Sequence, residues 1–115
     1  IRRINRNPLK PVILPNAFLE ENQLRKKITG EMAYFCYIVE CADGSFYTGW
    51  SLDPVRREKE HNRGIGAAYT KQHRPVRLVY IEEQPDLSAA LKRERAIKTL
   101  NHAQKARLIL KDKGE

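Results

Sequence analysis

The sequence predicts a small α+β domain with a three-stranded, mainly antiparallel sheet flanked by helices. Two adjacent β-prone segments are separated by a hairpin signal, and a third β-prone segment lies further along the chain. Segments with helical spacing and capping residues follow the hairpin and the third strand. The predicted order of elements is therefore β-β-α-β-α-α. A chain of 115 residues has room for one such domain with a modest core.

Residues 1–31 differ in character from the rest of the chain. Three prolines interrupt the first fifteen residues, where basic and apolar residues alternate, so this part is not expected to be helical. A short helix is predicted from about residue 17 to residue 28. Because the chain begins at Ile1 rather than Met and the hairpin follows Met32, we expect 1–31 to be a poorly ordered N-terminal extension and 32–112 to be the domain. A docking helix and a basic arm that binds nucleic acid are the alternatives.

The first two strands are predicted at 34–40 and 45–50. Both segments are rich in aromatic and β-branched residues, which favour extended structure. Asp43 and Gly44 lie between them and are typical of a tight turn between antiparallel strands. The stretch is therefore a predicted β-hairpin.

Each strand of this hairpin carries a tyrosine, Tyr37 in the first and Tyr47 in the second. A two-residue loop would place the two phenols on opposite faces, because side chains alternate along a strand. A three-residue loop with Gly44 in the left-handed conformation would pair Tyr37 with Gly49 and place both phenols on one face. The sequence leaves both loops open. In the second, Gly49 would leave space for a ligand opposite Tyr37.

The first helix is predicted to begin at Asp53 and Pro54. Aspartate is a favoured N-cap, and proline is favoured at the first helical position. Gly64 is expected to end the helix. Arg57 and His61 lie four residues apart, so both side chains occupy one face of this helix.

A surface loop is predicted after this helix, from residue 64 to residue 70. Its Gly-x-Gly sequence follows a helix rather than leading from a strand into one, which excludes a dinucleotide-binding turn. Basic and aromatic residues in and after the loop suit phosphate contacts and base stacking. The candidate nucleic-acid-binding residues are Tyr69, Thr70, Lys71 and Arg74.

The third strand is predicted at 76–82, and its continuous apolar centre indicates a central position in the sheet. Ser88 is expected to cap the next helix, which extends to about residue 98 and carries Glu94 among apolar neighbours. Asn101 and Gln104 resemble a capping box that opens a last helix, ending near residue 110.

The charge of the chain indicates a polyanionic partner. There are 22 Lys and Arg residues against 14 Asp and Glu residues, which gives a net charge of +8. Residues 1–31 hold 7 basic and 3 acidic residues and contribute +4, so the remaining 15 basic and 11 acidic residues contribute another +4. The predicted domain is therefore basic by itself, which favours nucleic acid as the partner.

The compartment is predicted from cysteine content and hydropathy. Cys36 and Cys41 lack a Cys-x-x-Cys spacing and fall in or beside a strand, which indicates free thiols in a reducing compartment. No apolar run is as long as a membrane span, and the N-terminus lacks the apolar core of a signal peptide. We expect a cytoplasmic protein without a membrane partner.

The chain contains the residue types that phosphodiester hydrolysis requires. The reaction needs a base for the attacking water, a cation for the developing charge and usually a divalent metal. Glu94 is the candidate ligand for Mg²⁺ or Mn²⁺, because such ions often take only one or two carboxylates from the protein and keep several waters. Arg57 is the candidate cation. His61, Tyr37 and Tyr47 are the candidate bases, and the sequence does not choose among them.

The spacing of these residues resembles the GIY-YIG nuclease superfamily, in particular its small stand-alone bacterial members. The resemblance covers roughly residues 33–110. The first triad reads Phe35-Cys36-Tyr37 here, and the residues that carry the resemblance are Tyr37, Tyr47-Thr48-Gly49, Arg57, His61 and Glu94. It implies that the two tyrosines lie beside the scissile phosphate and that Arg57 stabilises the transition state. It also implies that His61 assists proton transfer and that Glu94 binds a single metal ion.

These observations predict a metal-dependent endonuclease that hydrolyses DNA, with RNA as a further candidate substrate. Because so small a domain has little surface for reading bases, we expect the structure or single-strandedness of the nucleic acid to direct cleavage. One alternative is a nucleic-acid-binding module that does not cut or that needs an accessory protein. Such a module would tolerate the loss of Glu94. Another alternative, a protein-interaction domain, would bind nucleic acid with little salt dependence.

Overall fold

The computed structural model describes residues 32–112, and the expected extension at 1–31 lies outside this range. A three-stranded antiparallel sheet is covered by helices on both faces. The strands are β1 (Tyr34–Cys41), β2 (Phe46–Ser51) and β3 (Val76–Gln84). The helices are α1 (Pro54–Asn62), α2 (Ala68–Lys71), α3 (Leu87–Lys98) and α4 (His102–Asp112). The predicted α+β class and the order β-β-α-β-α-α are confirmed, with the one-turn helix α2 added where a loop was expected.

The strand order is β2-β1-β3, so the prediction that the third strand is central was wrong. Strand β3 lies at an edge, and β1 is the central strand. The continuous apolar run of β3 has another cause, because helices cover both faces of the sheet. Leu78 packs into the core on the α1 side, whereas Val79 packs into the core on the α3 and α4 side.

The hairpin between β1 and β2 has the three-residue loop. Gly44 has φ of +87°, and Tyr37 pairs with Gly49 while Val39 pairs with Tyr47. Glycine adopts this left-handed conformation without the steric cost that a side chain would bring. The register places both phenols on the same face of the sheet, the face that α1 covers.

The helix boundaries follow from local capping. Asp53 caps α1, accepting a hydrogen bond from the Arg56 amide at 3.1 Å, and Gly64 follows the helix with φ of +81°, both as predicted. Helix α3 begins two residues earlier than predicted. Asp86 is its N-cap and accepts from the Ala89 amide at 2.8 Å, so the predicted cap Ser88 lies inside the helix.

The last helix opens with the predicted capping box. The Gln104 amide donates to the Asn101 side chain at 2.9 Å, and the Asn101 amide donates to the Gln104 side chain at 2.9 Å. This reciprocal pair fixes the turn between α3 and α4. Across residues 32–112, no helix has the length and apolar character that crossing a membrane requires.

Candidate active site

Tyr37, His61 and Thr70 form a buried chain of hydrogen bonds on the α1 side of the sheet. The Tyr37 hydroxyl lies 2.7 Å from His61 Nε2, and His61 Nδ1 lies 2.7 Å from Thr70 Oγ1. Tyr37 is 1% exposed, and the other two residues are 0% exposed. This chain of hydrogen bonds joins β1, α1 and α2, so three elements of the fold meet at one imidazole.

Thr70 and Ala67 complete the polar contacts of this imidazole. The Thr70 hydroxyl donates to the carbonyl oxygen of Ala67 at 3.0 Å. The Ala67 amide donates to His61 Nδ1 at 3.4 Å. Both ring nitrogens of His61 therefore have hydrogen-bond partners.

Burial keeps both the imidazole and the phenol neutral near pH 7. Burial lowers the pKa of His61 to about 4, and the positive charge of Arg57 adds to this effect. Burial raises the pKa of Tyr37 well above its usual value, although a hydrogen bond from Arg57 opposes the shift. Arg57 thus lies against the same phenol that is hydrogen-bonded to His61. His61 is enclosed and both its ring nitrogens are hydrogen-bonded, so the imidazole has no direct contact with solvent.

Two glycines allow this chain to pack so closely. A Cβ atom at Gly49 would lie 2.6 Å from the Tyr37 hydroxyl oxygen and 2.8 Å from Cζ. The expectation that Gly49 leaves space for a ligand was therefore wrong, because the Tyr37 ring itself fills that space. A Cβ atom at Gly66 would overlap His61 Nδ1 and would lie 3.0 Å from His61 Cα. Gly66 belongs to the segment that the sequence suggested was only a surface loop.

The predicted nucleic-acid contact of Thr70 was wrong, because its hydroxyl is enclosed and holds His61 instead. Tyr69, its neighbour, is 40% exposed. The Tyr69 ring stacks on His73 at a centroid distance of 4.1 Å and on Tyr47 at 6.1 Å. The exposed aromatic surface beside the site therefore extends from Tyr47 through Tyr69 to His73.

Lys71 and Arg74 are both exposed at the surface. The Arg74 Nε donates to the carbonyl oxygen of Lys71 at 3.2 Å, and its guanidinium packs against Gly64. Both side chains remain accessible to a polyanion. Their predicted contact with nucleic acid stays a prediction.

Arg57 is held by a carboxylate that the sequence did not single out. Arg57 Nη1 lies 2.9 Å from Glu60 Oε1, and Arg56 Nε lies 3.2 Å from Glu60 Oε2. The hydrogen bond from Arg57 holds the pKa of Glu60 below its usual range. The Arg57 side chain is 34% exposed and borders an open hollow of about 440 Å³ that also contacts Leu52 and Asp53. A phosphate could therefore reach its guanidinium from this side.

Glu94 and Lys98 project from α3 toward the same region. Lys98 Nζ lies 3.4 Å from Glu94 Oε2 and 6.0 Å from the centroid of the Tyr47 ring. Burial is the largest cause of the raised pKa of Tyr37. The charges of Tyr47 and, to a smaller extent, Glu94 raise this pKa further. The five candidate catalytic and metal-binding side chains thus share one neighbourhood.

A comparison with known protein families matches residues 33–107 to the GIY-YIG catalytic domain. The chain belongs to the GIY-YIG family. The match begins just before β1 and ends within α4, so it includes all the candidate catalytic residues. This family is one of nucleases, which agrees with the chemistry that the residues suggested.

The relatives of this GIY-YIG protein are small. A UPF0213 protein of Staphylococcus aureus is 54% identical over 77 residues, which span 67% of this chain and 94% of the relative. Protein EF2693 of E. faecalis, solved by NMR, is 37% identical with a TM-score of 0.52, and the match covers 74% of this chain and 91% of that one. The UPF0213 protein BH0048 of Bacillus halodurans is 41% identical with a TM-score of 0.45, over 68% and 83% of the two chains. The predicted small stand-alone bacterial branch is confirmed.

GIY-YIG nucleases depend in general on a divalent metal, and Glu94 suits such an ion. Its side chain is 19% exposed and lies 3.4 Å from Lys98 Nζ, so its carboxylate is not enclosed by the core. Within residues 32–112, no group of three or more His, Cys, Asp and Glu residues forms a ready-made metal cage. A lone carboxylate fits Mg²⁺, which keeps several waters and shares its shell with substrate phosphate.

The sequence did not reveal the residues that support the site. Glu60 lies three residues after Arg57, a spacing that brings side chains together on a helix and was a usable signal. Thr70 and Gly66 carried no such signal, because each meets His61 only through tertiary packing.

Acid is expected to destabilise this GIY-YIG protein through His61. The folded pKa of about 4 lies below the unfolded value of 6.5, so the unfolded chain binds more protons between these values. Stability is then greatest above pH 6.5 and falls as the pH drops toward 4. The expected loss is about 2–3 kcal/mol, to be measured by urea unfolding at about pH 7 and about pH 4.5. The His61→Phe variant should lose less stability in acid than the native protein, whereas His73→Gln should behave as native. Equal acid sensitivity of native and His61→Phe proteins would contradict this assignment.

Proposed function

We propose that this chain is a metal-dependent endonuclease that hydrolyses phosphodiester bonds in DNA and works in the cytoplasm. The observation that carries the proposal is the approach of Arg57 to the Tyr37–His61 pair, with Tyr47 and Glu94 beside them. These groups supply a cation, a hydrogen-bonded phenol, an accessible phenol and a metal-binding carboxylate. The family membership supports the same chemistry.

Arg57 is the group that meets the phosphate in this proposal. Its guanidinium is fixed on one side by Glu60 and on another by the Tyr37 hydroxyl, and it faces an open hollow. A guanidinium held in this way can donate to phosphoryl oxygens as negative charge develops on them. The chain from Thr70 through His61 to Tyr37 then serves to hold Arg57 in position.

Tyr47 is the candidate base that meets the attacking water. Tyr37 and His61 are enclosed, whereas Tyr47 is only partly buried and lies at the edge strand β2. Its ring lies edge-on to His61 at 5.5 Å and within 6.0 Å of the Lys98 ammonium. A divalent ion on Glu94 would supply a Lewis acid for the phosphoryl oxygen and the leaving group.

The accessible cations and rings around the site would contact the rest of the nucleic acid. Lys71 and Arg74 suit backbone phosphates, and Tyr69 offers an exposed ring for a base. None of these groups forms a deep groove for reading a duplex. We therefore expect the structure or single-strandedness of the nucleic acid, rather than its base sequence, to direct cleavage.

The experiment is a cleavage assay on labelled single-stranded, duplex and branched DNA, with a matched RNA strand. Mg²⁺ or Mn²⁺ is supplied, and EDTA serves as the control. We expect single-stranded or branched DNA to be cut and EDTA to stop the reaction. Sharp cleavage at one defined duplex sequence would contradict the proposed substrate class. Salt-dependent binding without any cleavage would favour the binding module that needs an accessory protein.

A further inference from the structure

The hollow beside Arg57 is lined mostly by residues that the proposed reaction does not use. Its volume of about 440 Å³ is within the range of sites that hold small organic groups. One wall consists of residues 50–53, at and after the end of β2, and the other belongs to α1. Arg57 is shared by the two regions, because its guanidinium contacts Tyr37 and also lines the hollow. A group in the hollow would therefore lie next to a phosphate that Arg57 holds.

The charges on the walls of this hollow cancel. Among the described residues that line it, Arg56 and Arg57 are balanced by the carboxylates of Asp53 and Glu60. Glu60 is paired with both arginines, at 3.2 Å from Arg56 Nε and 2.9 Å from Arg57 Nη1. A phosphate that passed beyond Arg57 would meet these carboxylates, so the interior suits an uncharged group.

A second hollow, at the C-terminal end of α1, differs in charge. Among the described residues that line it there are two cations and no carboxylate; these residues are Asn62, Lys71, Gln72, Arg74 and Pro75. Its positive charge suits a backbone phosphate. The hollow beside Arg57 lacks this excess of positive charge.

Apolar surface and an available acceptor complete the hollow beside Arg57. Leu52 lies directly after β2 and is 43% exposed, and the half-buried Trp50 lies two residues earlier. Asp53 uses Oδ1 to cap α1, accepting from the Arg56 amide at 3.1 Å, so Oδ2 can accept from an N–H group of a ligand. A flat group with apolar faces and N–H donors at its edge matches these walls, and a nucleobase is such a group.

We propose that this hollow takes the unpaired base of a nucleotide next to the phosphate that is cut. The inference rests on the proposed function, because Arg57 links the hollow to that phosphate. Each of the four bases has an N–H donor on its pairing edge, so the hollow accepts any base without reading the sequence. In a duplex this edge is occupied by the partner base and both faces are stacked, so a base must leave the duplex to enter. The hollow therefore selects single strands over duplexes.

The first test compares two ligands that carry the same phosphates, one with bases and one without. The first ligand is an oligothymidylate of about eight nucleotides, and the second is a fully abasic strand of the same length. Each is titrated in EDTA into the isotope-labelled full chain, and the backbone amide signals are followed by NMR. We expect the amides of Leu52 and Asp53 to shift only with the oligothymidylate. Equal shifts of these two amides with the two strands would overturn the proposal.

The second test shortens the exposed leucine. Leu52→Ala should bind the oligothymidylate about fivefold more weakly, because apolar contact with the base is lost, and should bind the abasic strand as the native protein does. Leu110→Ala is the matched control, because Leu110 is 50% exposed and lies in the last turn of α4. Both variants should melt at the native temperature. An equal loss of affinity for the two strands in Leu52→Ala would contradict a contact with the base.

The ratio of affinities for single-stranded and duplex DNA of one sequence tests the selection of single strands. We expect this ratio to fall about fivefold in Leu52→Ala and to stay native in Leu110→Ala. These measurements are made without metal and need no cleavage. A protein whose hollow binds the base but which cuts no DNA would contradict the proposed endonuclease and support the base site. A protein that cuts DNA while its Leu52 amide responds equally to both strands would contradict only the base site.

Discussion

Replacing Arg57 with methionine is expected to slow DNA cleavage by about 10²–10³-fold, because one fixed donor to the developing charge is lost. In the structure, Glu60 and Tyr37 hold the guanidinium from two sides. Methionine keeps the apolar stem in place. Binding of single-stranded DNA should weaken only severalfold, since the other cations of the domain remain. The measurement is single-turnover cleavage with saturating protein.

The neighbouring arginine provides the control for this variant. Arg56 pairs with the same Glu60 carboxylate, but its side chain is 77% exposed, whereas that of Arg57 is 34% exposed and hydrogen-bonded to Tyr37. Arg56→Met removes an equal charge and should cut at a rate within a few-fold of native. If both variants lose activity to the same extent, Arg57 contributes only to the general positive charge of the surface.

Replacing Gly49 with alanine is expected to cost about 2–3 kcal/mol of stability, since it overpacks a closed region. The added methyl carbon would lie 2.6 Å from the Tyr37 hydroxyl, and Tyr37 is 1% exposed and hydrogen-bonded to His61. The enclosed ring would have to shift against its neighbours to make room for the methyl group. Displacing it would also move the phenol away from Arg57, so cleavage should fall with stability. Urea unfolding and the cleavage assay measure the two losses.

A double-mutant cycle identifies the source of that cost. In a Tyr37→Leu background the shorter side chain leaves space for the methyl group, and Gly49→Ala should then be nearly neutral. The two substitutions should therefore couple by at least about 1 kcal/mol, as residues in direct contact do. An equal cost of Gly49→Ala in both backgrounds would place the strain in the backbone of β2.

Local signals predicted the parts of the fold that depend on local contacts. The hairpin, the cap at Asp53 and the box formed by Asn101 and Gln104 each involve residues a few positions apart, and all three are present. Strand order is not local. The apolar run of β3 is consistent with helices covering both faces of the sheet. It carried no information on which strands flank β3.

The candidate site shows the same division. The spacing of Tyr37, Arg57, His61 and Glu94 was sufficient to indicate the family, and the structure places these side chains together. The sequence could not choose between the two hairpin loops, since both suit Asp43 and Gly44. The sequence also could not show that Thr70 faces His61. The burial of Thr70 depends on tertiary packing against its one-turn helix, which leaves no periodic pattern in the sequence.

The most direct test of the central claim is the rate of metal-dependent cleavage of single-stranded DNA by native protein and by Glu94→Gln. Glutamine keeps the shape of the side chain and removes the charge that a divalent ion requires, and Asp112→Asn, at the exposed end of α4, is the charge-matched control. We predict cleavage by the native and Asp112→Asn proteins that EDTA abolishes. We predict a loss of at least about 10³-fold in Glu94→Gln, which should still bind the strand. Cleavage by Glu94→Gln at the native rate would contradict the assignment of the active site.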